Sequence, residues 1–207
     1  MEKIKSNISH LSALISIPII NIFYGVLNNN ERGAYIIATD FDKYTPFLKE
    51  FIIPYILWYP FIFFTLFYLC VKNKKVYYKT LISINIGLIV CYITYFFFQT
   101  TVPRPMLYGN DIFTKLTLII YKLDKPFNCF PSIHVLTCYL VIKGILYDTN
   151  KPLKIIVCSI SSIIILSTLF VKQHVLMDLV TAIIIGEIIF TLVDKVNWRL
   201  LYPVKME

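Results

Sequence analysis

Apolar residues in this chain come in long runs. They do not alternate, or recur at three-and-four spacing, as they do on elements with one face in water. Six runs stand out, at about 10–28, 51–71, 80–100, 132–149, 153–171 and 174–194. A helix needs roughly 20 such residues to cross a hydrocarbon core of about 30 Å, so each run predicts one transmembrane helix. The connections differ in length. The stretches 29–50 and 101–131 are long and polar, "KNKKVYYK" (72–79) is short, and 150–152 is a brief turn with Asn150 and Pro152 as breakers. Around "VKQH" there is almost no connection. The expected fold class is all-α: an integral membrane bundle of six transmembrane helices, with 1–207 as a single domain. Inside the long second connection, "DIFTKLTLIIYKL" (111–123) sets Ile112, Leu116, Ile119 and Leu123 at helical spacing between Lys115 and Lys122. That pattern predicts an outer-loop helix, either interfacial in the membrane plane or packed on the bundle.

Composition agrees with a lipid solvent. Hydrophobic residues make up 57 % of the 207, and the mean hydropathy of +0.70 leaves too little polar surface for a water-soluble domain. The net charge of +8 raises nucleic acid as a partner. The basic residues are dispersed among loops and form no patch, so none is expected. They bear instead on orientation, because Lys and Arg favour the cytoplasmic side of short loops. With "KNKKVYYK" inside, twelve Lys and Arg fall on the cytoplasmic side and eight outside, which places both termini in the cytoplasm. The first run follows Lys3 and Lys5 as a secretory leader would, but no small-x-small cleavage site follows in "LNNNERGAY". It is expected to remain as the first span. The tail "NWRLLYPVKME" reads as an interfacial anchor through Trp198 and Tyr202. Cys70, Cys91, Cys138 and Cys158 fall within apolar runs and Cys129 stands in an outer loop, so no disulfide and no CxxC motif is expected.

Three polar clusters depart from the apolar pattern. "VPRP" (102–105) follows the third run, "PSIH" (131–134) opens the fourth, and "KQHVLMD" (172–178) opens the sixth. On the six-span topology all three reach the outer face. Ionisable residues at membrane depth are costly and mark functional sites. The residue types suit phosphate. Arg104 can fork two hydrogen bonds to a phosphate. Ser132 and His134 lie in a first helical turn, where free backbone N–H groups favour an anion. His174 and Asp178 are four apart and share a helix face, so the carboxylate can hold one imidazole nitrogen protonated and leave the other free to attack. Taken singly, Arg104 reads as a headgroup contact, Ser132 as a helix cap, His134 as a packed residue and the His174–Asp178 pair as a structural ion pair. The constellation is what suggests chemistry. Glu187 lies within an apolar run and has no partner apparent from sequence.

These residues resemble the type 2 phosphatidic acid phosphatase superfamily, whose pattern is Lys-x6-Arg-Pro, then Pro-Ser-x-His, then Ser-Arg-x5-His-x3-Asp. Here Arg104-Pro105, Pro131-Ser132-Ile133-His134, and Ser167 with His174 and Asp178 match, over roughly 80–195. The resemblance implies a membrane lipid phosphate phosphatase with its catalytic core in that range. It implies that His174 is the nucleophile, that Asp178 orients it, and that His134 is the general acid and base. It implies that Arg104, Ser132 and Lys172 bind phosphate, that no cofactor or metal is used, and that a phosphohistidine forms. Two departures stand out. Phe97 occupies the family's Lys position and Thr168 its Arg position. Losing one such contact costs roughly 3 kcal/mol, about a hundredfold in rate. Lys172, two residues before His174, is the candidate substitute. "STLFVKQHVLMD" is also similar to a divergent branch that includes inositol phosphorylceramide synthase-like proteins. Phospho-headgroup transfer between lipids therefore stands as an alternative. So does a non-catalytic lipid-binding protein with a decayed site. Two histidines and an aspartate are also a zinc-type donor set. The resemblance points to a lipid phosphate partner at the outer face, with the protein in the plasma membrane. It names neither the lipid nor the oligomeric state.

Overall fold

The computed structural model describes residues 9–29, 31–196 and 198. It is an all-α bundle. A 3-10 turn at Ser12–Ile15 leads into helix α1 (Ser16–Leu27). Then follow a short helix α2 (Asp40–Tyr44), α3 (Ile52–Lys72), α4 (Lys74–Phe97), α5 (Ile112–Leu123), α6 (Ile133–Ile145), α7 (Lys151–Phe170) and α8 (Leu176–Asp194). Among the described residues, five helical stretches are long and apolar enough to cross a membrane: Ser9–Leu27, Lys49–Lys72, Lys74–Phe97, Lys151–Phe170 and Leu176–Asp194. The run expected at 132–149 forms a shorter helix, the 13-residue α6. At 1.5 Å per residue it covers about 20 Å.

Helix starts follow side-chain caps. Asn73, Asp111, Ser132 and Asn150 each accept a hydrogen bond from the backbone N–H three residues on, at 3.1–3.4 Å. This meets one of the donors a helix N-terminus leaves unpaired. The caps explain why continuous apolar runs break where they do.

α6 is the central element, packed against α3, α4, α7 and α8. Most of its side chains are buried, which accounts for a helix apolar on all sides. The outer helices are the reverse. Ile19, Phe23, Phe64, Phe97, Ile155 and Leu192 are all exposed, an arrangement that suits lipid and not water. Small residues let the helices close on α6. A Cβ on Gly144 would stand 2.3 Å from Thr80 Oγ1 and 3.2 Å from Leu69 Cδ1.

Two ion pairs join helices of the bundle. Lys79 bonds Asp194, joining the cytoplasmic ends expected for α4 and α8. Glu187, unpartnered in the sequence reading, accepts from Tyr139 Oη at 2.6 Å and pairs with Lys143 at 2.9 Å, tying α8 to α6. The five cysteines are free thiols. Trp198, expected at the headgroup level, is buried against Ile189 and Val193, with its Nε1–H donating to the Val193 carbonyl at 2.9 Å. Tyr202 and the rest of the tail lie outside the described residues.

The opposite end is knitted by its loops. A two-residue parallel pair joins β1 (Tyr35–Ile36) to β2 (Thr100–Thr101). Gln99 Nε2 donates to the Leu27 carbonyl and to Asn128 Oδ1, both at 2.9 Å. α5 presents two faces. Phe113, Leu116 and Ile120 pack against Ile52, Tyr55 and Val171, whereas Ile112, Ile119 and Leu123 are exposed.

Gly144→Ala is expected to destabilise the bundle by about 1–3 kcal/mol, because the added methyl meets the Thr80 hydroxyl in a filled core. Gly25→Ala, with nothing within 4 Å of the new Cβ, should be neutral or stabilising. Thermal unfolding of the two variants in one detergent checks the contrast.

Candidate functional site

The residues singled out from sequence meet at this loop end. His174 and Asp178 sit where α7 turns into α8. The turn is closed by backbone bonds: Val171 N–H donates to Ser167 O, Lys172 N–H to Leu169 O, and the N–H groups of Gln173 and His174 both donate to Thr168 O at 3.0 and 3.1 Å. These bonds satisfy the last carbonyls of α7. Lys172 takes φ +53° to make the reversal. Thr168 thus fixes the backbone of His174, and its own side chain is fully buried. Phe97 points away and is 79 % exposed.

Asp178 is fully buried. Its Oδ2 accepts from His174 Nδ1 at 3.1 Å and from Val175 N–H at 2.9 Å. A carboxylate only accepts here, so the proton sits on Nδ1 and Nε2 is the free nitrogen. The Asp178 carbonyl also accepts from Ser132 N–H at 3.3 Å. That bond links the start of α6 to the start of α8. Ser132 itself is buried and caps α6.

His134, one position past the start of α6, comes close to His174, with ring centroids 5.7 Å apart. Two aromatic rings hold it: Tyr55 stacked at 4.6 Å and Trp58 tilted at 4.1 Å. Trp58 is pinned by its Nε1–H bond to Thr137 Oγ1 at 2.8 Å. His134 Nδ1 has no hydrogen-bond partner among the described residues. The third histidine, His10, is elsewhere and bonds Tyr78 Oη.

Arg104 lies over the Tyr121 ring, 4.3 Å from its centroid. Its Nη1 donates to the Tyr121 carbonyl at 3.0 Å, and Nη2 donates to the Asp124 carbonyl at 2.8 Å and to Gln173 Oε1. Burial pushes the Tyr121 phenol up to about 12, and as a neutral donor it bonds Val171 O at 2.7 Å. Lys172 Nζ donates to the carbonyls of Asp42, at 2.9 Å, and Thr45. Burial lowers its pKa from the ordinary lysine value, with the Asp42 charge opposing. Both cations thus donate to neutral acceptors, with the Asp42 carboxylate acting on Lys172 only through its field.

Arg104, Lys172 and His174 line one cavity of about 330 Å³, with Asp42, Thr45 and Val175 among its other walls. The Asp42 carboxylate is already occupied. Oδ1 accepts from Leu176 N–H at 2.7 Å, and Oδ2 from Thr39 N–H and Oγ1 at 2.8 and 2.7 Å. The cavity lining carries Lys43, Arg104 and Lys172 against the single carboxylate of Asp42. Ser132 and His134 are not part of its lining; Ser132 sits at the joint behind it and His134 beside His174. Among the described residues no three His, Cys, Asp or Glu side chains are grouped to hold a metal.

Several partners were not legible as such. Gln173 holds Arg104, Asp42 caps α8, and Tyr55 and Trp58 enclose His134. Asp124 joins α1 and α3 to the site: its Oδ1 accepts from Tyr24 Oη and its Oδ2 from Tyr55 Oη at 2.9 Å. Only Asp124 carried a sequence signal, as an acid just past an amphipathic helix. Comparison with known protein families, curated proteins and solved structures finds no match.

Asp124→Ala leaves two tyrosine hydroxyls without their acceptor. It is expected to cost about 2–4 kcal/mol, against about 1–2 for Tyr24→Phe or Tyr55→Phe. Unfolding midpoints of the three variants measure this, and equal midpoints would show that the carboxylate joins nothing.

Proposed function

We propose that this chain is a metal-independent lipid phosphate phosphatase working through a phosphohistidine. The observation that carries the reading is the His174–Asp178 pair, 3.1 Å apart, set beside His134 and facing a cavity whose cations Arg104 and Lys172 make no ion pair among the described residues. The resemblance to the type 2 phosphatidic acid phosphatase pattern supports the same roles. His174 Nε2 attacks phosphorus, and the bond to the leaving lipid oxygen breaks as His134 delivers a proton to it. Asp178 stabilises the positive charge on the phosphorylated imidazole. His134 then takes a proton from water, whose oxygen displaces His174 and releases inorganic phosphate. Arg104 and Lys172 stabilise the oxygens as charge builds.

The topology that fits this chemistry has six spans, with α6 as a short buried one and both termini cytoplasmic. α5 lies in the membrane plane with Ile112, Ile119 and Leu123 toward lipid, and the site faces outward from the plasma membrane. A phosphate at headgroup depth then reaches His174 while its tails stay in lipid. One observation favours a second reading, headgroup transfer to an acceptor lipid: His134 is enclosed by Tyr55 and Trp58, a dry surrounding that disfavours water as the second nucleophile.

Phosphate release from a panel of lipid phosphates, in detergent with EDTA, tests the reading. Wild type is expected to release phosphate, and His174→Ala and His134→Ala to lose turnover by at least about a thousandfold while remaining folded, with a cooperative unfolding transition. Near-normal turnover by either variant would remove its assigned role. Transfer to an acceptor lipid without phosphate release would select the second reading.

Orientation is checked separately. Cys129 is too buried to report on it, at 4 % exposure. In a cysteine-free background, Tyr108→Cys is expected to react with an impermeant maleimide on intact cells and Lys151→Cys only after lysis. The reverse pattern would invert the topology.

A further inference from the structure

We propose that Lys43, carried by the first outer loop, is an anion-contacting residue of the cavity lined by Arg104, Lys172 and His174. The inference deepens the phosphate-site reading and rests on it.

Lys43 lines that cavity from a part of the chain remote from the three polar clusters. The loop that carries it is fixed on both sides. α2 opens with reciprocal bonds between Thr39 and Asp42. Asp42 Oδ1 takes the Leu176 N–H at 2.7 Å, and Lys172 Nζ donates to the carbonyls of Asp42 and Thr45. The residues flanking Lys43 are thus bound to the same turn that presents His174. Lys43 thus belongs to the cavity wall, and its exposed ammonium needs only a change of side-chain rotamer to exchange Asp40 for another anion.

The Lys43 ammonium has a weak partner. It bonds Asp40 at 2.7 Å, three residues earlier, and the two side chains are 74 % and 85 % exposed. An exposed pair of this kind gains little, because water and salt screen it. Asp42, the acid that lines the cavity, makes no ion pair with Lys43, and its carboxylate already accepts three N–H or O–H groups. A phosphate dianion between Arg104 and Lys172 therefore offers Lys43 a better partner than Asp40 does. The arrangement also bears on Phe97 and Thr168, the two positions where the phosphate-site pattern lacks a cation. Phe97 faces outward and Thr168 is buried beneath the turn, so neither position is where the missing charge would be restored. A loop clamped over the cavity is.

The test uses the full-length protein in detergent and two ligands, inorganic phosphate and phosphatidate in mixed micelles, with affinity measured by calorimetry. Lys43→Ala is expected to weaken both by about tenfold. Lys43→Arg should retain binding, and Lys49→Ala, on the same loop but paired with Asp111 at 2.8 Å, should match wild type. Unchanged phosphate affinity in Lys43→Ala overturns the assignment, as does a wild type that binds no phosphate. A loss confined to the micelles places Lys43 on the membrane surface and also overturns it. Turnover separates this from the parent reading. In an active enzyme Lys43→Ala should raise KM with kcat nearly kept, while His174→Ala still binds phosphate. Tenfold weaker phosphate binding in Lys43→Ala, together with a wild type that hydrolyses no lipid phosphate, would uphold the anion contact and sink the hydrolase.

Discussion

Asp178 holds the loop end of this bundle together. It has no exposure, and three groups converge on it: the His174 imidazole and the Val175 N–H on its carboxylate, and the Ser132 N–H on its carbonyl. The first bond orients an imidazole, the second starts α8, and the third fastens α6 to α8. A buried carboxylate without such donors would be costly, so burial and hydrogen bonding enforce each other. This joint sets the starts of the two helices that bring the histidine rings within 5.7 Å of each other.

Charge on the other side of the cavity is managed differently. Arg104 and Lys172 bind backbone carbonyls and the Gln173 amide, and neither is in an ion pair among the described residues. Neutral dipoles solvate a cation well enough to keep it at a partly buried position while leaving its field directed outward. Elsewhere the protein pairs opposite charges, as in Lys79 with Asp194 and Lys143 with Glu187. That contrast separates cations that hold helices together from cations available to a ligand. Aromatic residues complete the division. Tyr55 and Trp58 exclude water from His134, and Tyr121 supports Arg104.

Much of this was legible in the chain because helical geometry is local. Apolar runs of the right length mark the long helices, and Ser132 and Asn150 mark helix starts, whereas Asn73 starts α4 within a stretch that reads as a connection from sequence. His174 and Asp178 meet because a spacing of four returns to one helix face. The same logic is silent about anything that depends on how helices pack. α6 reads as a full span in sequence, since a helix buried among neighbours and one crossing lipid are equally apolar. The exposed and packed faces of α5 are likewise separated only by what lies against them.

What the sequence by itself determined, then, is the solvent, the helical segments and the i,i+4 pair, each set by hydrophobicity and by the 3.6-residue turn. Tertiary structure alone decided that Gln173 and the Asp124 carbonyl hold Arg104, that Asp42 and Lys43 belong with His174, and that Glu187 has a lysine. These contacts join residues 44 to 134 positions apart, except for Arg104 with Asp124, which spans 20. No local preference encodes a partner at such distance. The choice is made when buried polar groups must find donors and acceptors inside a bundle that excludes water.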